Sequence, residues 1–269
     1  MTAENDVVLA RTEGHVTTWT LNLPESRNPI SGDEVVDRLV ELVHLANTDP
    51  QTRVVILTGA GSAFSAGGNV KDMVDRNGMF GGKPHQIFQG YRRGIQRLAR
   101  AVYTCEVPII AAVNGPAVGA GCDLTLMCDM RVASTNAFFA ESFVKLGIIP
   151  GDGGAWLLPR AVGAARAAEM AFTGDRVDAA TALDWGLVSR VVEPEELMAT
   201  AQELAARVAV NPPHALRATK RLLRESGRQD FDGFLELSAA LQALSHPTED
   251  HREALAAFNE RRVGDFTGE

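Results

Sequence analysis

Three cysteines in 269 residues are too few, and odd in number, for a disulfide framework. Cys105, Cys122 and Cys128 form no C-x-x-C pair and lie among apolar neighbours, so they read as reduced core thiols and not as a zinc site. The six histidines are scattered without H-x-x-x-H or triad-like spacing and read as surface or capping groups; no metal site is expected. No apolar run approaches the length of a membrane span, and the opening MTAENDVVLARTEGH lacks the basic-then-apolar pattern of a secretory leader, which predicts a cytoplasmic protein without membrane attachment. Positive charge is also scarce. Lys and Arg number 26 against 34 Asp and Glu, and the net charge of −8 opposes nonspecific nucleic-acid binding, because a phosphate backbone would be repelled.

What is present is ordinary globular composition, 45% apolar and 22% charged, in a length that suits one large α/β domain or a domain with an appendage. VVLARTEGHVTTWTLNL reads as two strands joined at Glu13-Gly14. Ser31 and Glu34 have capping-box spacing, predicting a helix from about Gly32 to just before Asp49-Pro50. RVVILTG and PIIAAVNG are short, continuously apolar strands of the kind buried on both faces of a parallel sheet, and the second leads through PAVGAG into a helix at CDLTLMC. From Pro194 the pattern changes to four amphipathic helices with no strand-like run between them. The expected division is a βα core over residues 1–200 and a helical tail over 201–269, whose apolar faces favour self-association.

Two small-residue turns follow buried strands: GAGSAFSAGGN, 59–69, and NGPAVGAGCD, 114–123. Such turns suit close backbone packing, a nucleotide phosphate, or a pair of N–H groups aimed at a developing oxyanion. The nucleotide motifs are incomplete. Gly119 and Gly121 begin G-x-G, but Leu124 occupies the third small position and neither turn continues into Lys-Ser or Lys-Thr.

Five stretches in order resemble the enoyl-CoA hydratase/isomerase (crotonase) superfamily: VVILTGAGSAFSAGGNVKDM, PIIAAVNGPAVGAGCDLTLMCDMRVAS, FVKLGIIPGDGGAWLLPRAVG, FTGDRVDAATALDWGLVSRVV and AAFNERRVGDFTG. The resemblance implies an α/β fold, a spiral of ββα units with a C-terminal helical trimerisation region, assembled as a homotrimer or dimer of trimers. It implies an acyl-CoA thioester substrate, with coenzyme A carried in as part of the substrate and no separate cofactor. Carried over by position, the amides of Gly68 and Ala120 would grip the thioester oxygen, and Ala66 would lie beside the adenine end. Arg261 and Arg262 are candidates for meeting the phosphates, and the segment from Val74 to Tyr103 would line the acyl pocket.

Hydratases of this family carry two glutamates that position water and exchange its proton, as addition of water across a double bond requires. Here Asp123 stands at the first position and Phe143 at the second. Aspartate is shorter by one carbon–carbon bond, about 1.5 Å, and displacement of that order costs about a hundredfold in rate; phenylalanine moves no proton. Asp152, in PGDGGAW, is the second candidate acid, because KLGIIPGDGGAWLLPR resembles the loop in which the family's ring and dienoyl isomerases carry a basic aspartate. Glu141, two residues before Phe143, reads as a solvated or inter-subunit acid. Lys83, Arg92, Arg93, Arg97 and Arg100 read as one basic helical face. The expectation is an enzyme that passes a thioester through an enolate by isomerisation or unconventional hydration, the alternative being a catalytically silent acyl-CoA binder.

Overall fold

The computed structural model describes residues 6–269, so the first five residues of the stretch read for a leader lie outside the described residues. Nine strands are β1 (Val8–Glu13), β2 (Val16–Leu21), β3 (Val54–Gly59), β4 (Ile109–Val113), β5 (Ala117–Val118), β6 (Met130–Ser134), β7 (Phe138–Ala140), β8 (Val177–Asp178) and β9 (Arg190–Val192). The helices are α1 (Asp33–Thr48), α2 (Val70–Asp75), α3 (Pro84–Arg93), α4 (Ile95–Thr104), α5 (Ala120–Met127), α6 (Gly154–Val162), α7 (Ala164–Thr173), α8 (Ala179–Asp184), α9 (Leu197–Ala209), α10 (Pro213–Glu225), α11 (Phe231–Ser245) and α12 (Glu249–Glu260).

The larger sheet has the order β1-β2-β3-β4-β6-β9, with a β1/β2 hairpin at one edge and parallel pairing from β2 onward. The hairpin closes at the pair Glu13↔Val16, so its turn residues are Gly14 and His15, one position later than the sequence suggested. Both faces of the central strands are covered. Val55, Leu57, Ile109 and Ala111 join the main core with α1, α4 and α5, while Val54, Ile56, Ile110 and Ala112 face Ala201, Ala205 and Ala209 of α9. That two-residue alternation inside a continuously apolar run is the pleat of a strand buried on both sides. Alanines spaced four apart let α9 lie close to the sheet; the helix spans residue 200 and is a layer of the core.

The helices beyond the sheet are α10 to α12. Arg217 of α10 donates to the carbonyls of Ala46, Asn47 and Asp49 at the end of α1, where unpaired helix carbonyls attract a cation. Lys220 and Arg224, one helical turn apart, both reach Asp129, at 2.7 and 2.8 Å. By contrast, α11 buries none of its residues; Phe231 is 73% exposed, and Phe258 of α12 is 82% exposed. No helix among the described residues is long and apolar enough to cross a membrane.

A second, smaller sheet β5-β7-β8 pairs β5 parallel to β7 and β7 antiparallel to β8. It stands directly after β4 and frames the candidate site.

Candidate active site

The two glycine-rich corners are zipped side by side. Ser65 pairs with Ala117, its amide donating to Pro116 O and its carbonyl accepting from Val118, while Gly119 N–H donates to Ala140 O. The first corner is fixed from its other side by Ala66 N–H to Arg27 O and by Ile30 N–H to Gly67 O. Ser31 does not cap α1, whose N-cap is Gly32. Its hydroxyl accepts the Asn69 amide at 2.9 Å, so the residue expected to start a helix holds the glycine corner in place.

Two positions need glycine for different reasons. Gly67 has φ +83°, and a Cβ there would lie 2.3 Å from Val118 O and 3.0 Å from Ala120 N. Gly119 has φ +54° and ψ −123°, which side chains rarely adopt, and leads directly into α5. Gly68 follows the one and Ala120 the other. The Ala120 amide is among the first four of α5, which have no intrahelical acceptor. Ala66 sits half-buried at the same corner with its amide already committed to Arg27.

Apolar walls stand around these corners. Gly68 faces Met73 and Phe80, the Phe80 ring meets Tyr91 edge-on at 6.3 Å, and the Phe143 ring packs over Gly119. Tyr91 also abuts Gly151, whose carbonyl accepts from Gln96 at 2.8 Å. Next to this turn a cavity of about 660 Å³ is lined by Asp152, Gly153, Trp156, Leu157, Met127 and Tyr103. That volume is in the range of small-molecule sites.

Behind the corners lie three carboxyls. Asp123, in the first turn of α5, is fully buried; Glu141, just after β7, is 1% exposed; Asp152, before α6, is 5% exposed. Asp123 is within hydrogen-bonding reach of both of the others. None of their six oxygens receives a donor from elsewhere in the fold. The nearest candidates are the Cys122 thiol beside Glu141 and Asp152's own main-chain amide. Burial therefore dominates their titration. It drives the Asp123 carboxyl well above the usual carboxylate range, with the charges of Asp152 and Glu141 adding to the effect. Burial also pushes Glu141 up to about 7 and raises Asp152. Three carboxylates this close in a dry site cannot all be ionised near neutrality, so protons are stored among them. Among the described residues no group of three or more His, Cys, Asp or Glu side chains is arranged to hold a metal ion, so the carboxyls form a row and not a cage.

The structure thus brings together Asp123, Asp152, Gly68, Ala120 and Phe143, and overturns the surface reading of Glu141. The register of β7 turns Glu141 inward, two residues after buried Phe139, before the 3₁₀ turn Ser142–Leu146 begins. The signal available in the sequence was FFAES, an acid at the inward register of an apolar strand. The basic face is also corrected: α3 breaks at Gly94, so Arg92 and Arg93 belong to a different helix from Arg97 and Arg100. Arg262 is engaged by Glu253 and Glu260, which leaves Arg261 as the exposed cation of that pair. All three cysteines are free and buried, as expected of core thiols.

Comparison with known proteins agrees with this geometry. The sequence model of the enoyl-CoA hydratase/isomerase family matches residues 11–269. The chain is 37% identical over 263 residues to 1,2-epoxyphenylacetyl-CoA isomerase of Escherichia coli K12, covering 98% of this chain and 99% of that one. It is also 37% identical over 261 residues to short-chain-enoyl-CoA hydratase of Clostridium acetobutylicum, covering 96% of each. Among solved structures, an enoyl-CoA hydratase from Bacillus anthracis superposes with a TM-score of 0.90 at 33% identity, covering 97% of this chain and 99% of that one. With the family model spanning nearly the whole length, and an α/β core and helical C-terminal region built as in these relatives, the chain belongs to the enoyl-CoA hydratase/isomerase (crotonase) family.

Proposed function

We propose that the protein moves a carbon–carbon double bond in an acyl-CoA thioester. The thioester oxygen is held by the amides of Gly68 and Ala120, and Asp152 carries the proton. The observation that carries this reading is the row of buried, donor-free carboxyls beside two glycine corners that touch at Gly67 and Ala120. Asp152 is the member that lines the 660 Å³ cavity, with its two oxygens buried just behind the wall, whereas Asp123 is sealed at 0% exposure.

In the proposed step the Asp152 carboxylate removes a proton from the α-carbon of a 3-enoyl thioester. The bonding electrons move onto the thioester oxygen, giving a dienolate that the two amides stabilise; such donors are worth about 3–4 kcal/mol each. The carboxylic acid thus formed returns the proton to the γ-carbon, the double bond comes to rest between the α- and β-carbons, and Asp152 is a carboxylate again. Atoms and charge balance without water. Phe143 favours this chemistry over hydration, because an apolar ring against Gly119 takes the place at which family hydratases carry the second glutamate. The same ring supports the second reading, a silent acyl-CoA binder.

The helical end supports assembly as a homotrimer or dimer of trimers, with the exposed apolar residues of α11 and α12 as the surface to be buried and Arg261 available to phosphate. Three unpaired, buried thiols suit a reducing compartment, and we place the enzyme in the cytoplasm. The test is to assay 3-enoyl-CoA isomerisation and crotonyl-CoA hydration with wild type, Asp123→Asn and Asp152→Asn. Isomerisation abolished by Asp152→Asn supports the reading. Wild-type rates in both variants overturn the assignment of the acids, and binding without turnover of either substrate favours the silent one.

A further inference from the structure

The geometry points to Glu141 as a positioning residue that orders a one-directional proton chain, Glu141 donating to Asp123 and Asp123 donating to Asp152, so that the single negative charge of the row rests on Asp152. This rests on the reading of Asp152 as the proton carrier.

Nearly all buried polar atoms in proteins are hydrogen-bonded, yet the six carboxyl oxygens here have no well-formed bond to a donor outside the row, the Cys122 thiol and Asp152's own amide being the nearest. A carboxylate only accepts, so two ionised neighbours have nothing to bind each other with; a protonated neighbour donates. The row can be joined only by its own protons. Asp123 sits between the other two and is sealed at 0% exposure, so it holds its proton and can give it to one neighbour at a time. Which neighbour receives it depends on Glu141. A protonated Glu141 supplies a donor to Asp123 and leaves Asp123 to donate toward Asp152, the member at the cavity. An ionised Glu141 attracts the Asp123 proton to itself and puts a second negative charge behind the place where a dienolate must form.

Among the described residues no cation acts on Glu141. From α5 it faces Asp123 and the Cys122 thiol, which burial keeps protonated, and Asp152 acts on it from the turn before α6. β5 contributes Ala117 and Val118. On the β8 side, Asp178 pairs with Phe138 and Arg176 lies over the Phe138 ring, and Asp184 of α8 faces Arg166. Glu141 therefore ionises with a midpoint of about 7, and wild-type activity falls as pH rises beyond it.

Glutamine is the discriminating replacement, since its amide keeps the shape and the donor but never ionises. Glu141→Gln should retain isomerisation at pH 6 within about threefold of wild type, and lose the alkaline decline, which in wild type approaches tenfold per pH unit. Glu141→Leu should lose about tenfold or more at every pH, the cost of a misplaced acid. A residue that merely fills space would leave the pH profile of the glutamine variant unchanged, and that outcome overturns the proposal. Infrared difference spectra of the folded proteins give a reading independent of turnover. Wild type between pH 6 and 8 should lose a carboxylic-acid C=O band that is absent from Glu141→Gln, and equal band loss in both proteins overturns the chain. If Asp152→Asn stays fully active while that band behaves as expected, it is the function of Asp152 that fails and not the protonation of Glu141.

Discussion

Two acid sites of this molecule, the part-buried Asp129 and the buried trio of Asp123, Glu141 and Asp152, are handled in opposite ways. At Asp129 the carboxyl lies between Lys220 at 2.7 Å and Arg224 at 2.8 Å and accepts the Ile109 amide at 2.8 Å, while Lys220 also donates to Val107 O. Every oxygen there has a donor, and two cations more than offset the one carboxylate. At Asp123, Glu141 and Asp152 the oxygens have no donor from elsewhere in the fold. The first arrangement ties α10 to the ends of β4 and α5 and has no charge left to react. The second keeps protons in a dry place behind a cavity wall, which adds no ion pair to tie elements together and suits chemistry. A buried charge is uninformative about function until its partners are counted.

The contrast can be broken by substitution. The largest effect is expected at Asp152→Asn, where loss of the proton carrier should lower isomerisation by about a hundredfold to ten-thousandfold with the melting temperature unchanged or raised. Asp129→Ala should do the reverse: leaving Lys220, 5% exposed, and Arg224 without their counter-ion costs about 3–5 kcal/mol in chemical denaturation. Glu141→Gln sharpens the comparison through pH. A carboxyl raised from 4.5 to about 7 in the folded state contributes fully below the unfolded value, and that contribution is lost as pH rises through about 7. Wild type should therefore lose about 3 kcal/mol from this group between pH 4.5 and 8, and the glutamine variant should not, which urea titrations at both pH values would reveal. Smallest of all, breaking the Lys145–Asp175 pair, 50% and 74% exposed, with Lys145→Ala should cost under about 1 kcal/mol and nothing at high salt.

The frame was legible because its signals are local. RVVILTG and PIIAAVNG are apolar without interruption because both faces of β3 and β4 are covered, and the small residues at 66–68 and 117–121 are small because the two corners touch. The candidate acids Asp123 and Asp152 came from the resemblance of GAGCD and PGDGG to places where the family carries acids. Glu141 was legible only as an acid at the inward register of an apolar strand; that it meets Asp123 and Asp152 depends on α5 and the turn before α6 arriving from elsewhere in the chain. Ser31 misled for a similar reason: its spacing to Glu34 is that of a cap, but the Asn69 amide, brought from a distant corner, occupies its hydroxyl. Long-range partners cannot be counted from periodicity.

One close approach also limits how this catalyst can be altered. A Cβ on Gly154 would fall 1.9 Å from Asp123 Oδ1, so the main chain at the head of α6 already rests on the aspartate. That backbone acts as a depth stop. Lengthening the acid to glutamate, the obvious route back toward a two-glutamate hydratase, would drive a methylene into a peptide unit unless residues 151–154 were rebuilt first. Side-chain length at 123 and loop shape at 154 are one coupled choice, and a library that varies either alone will sample mostly misfits.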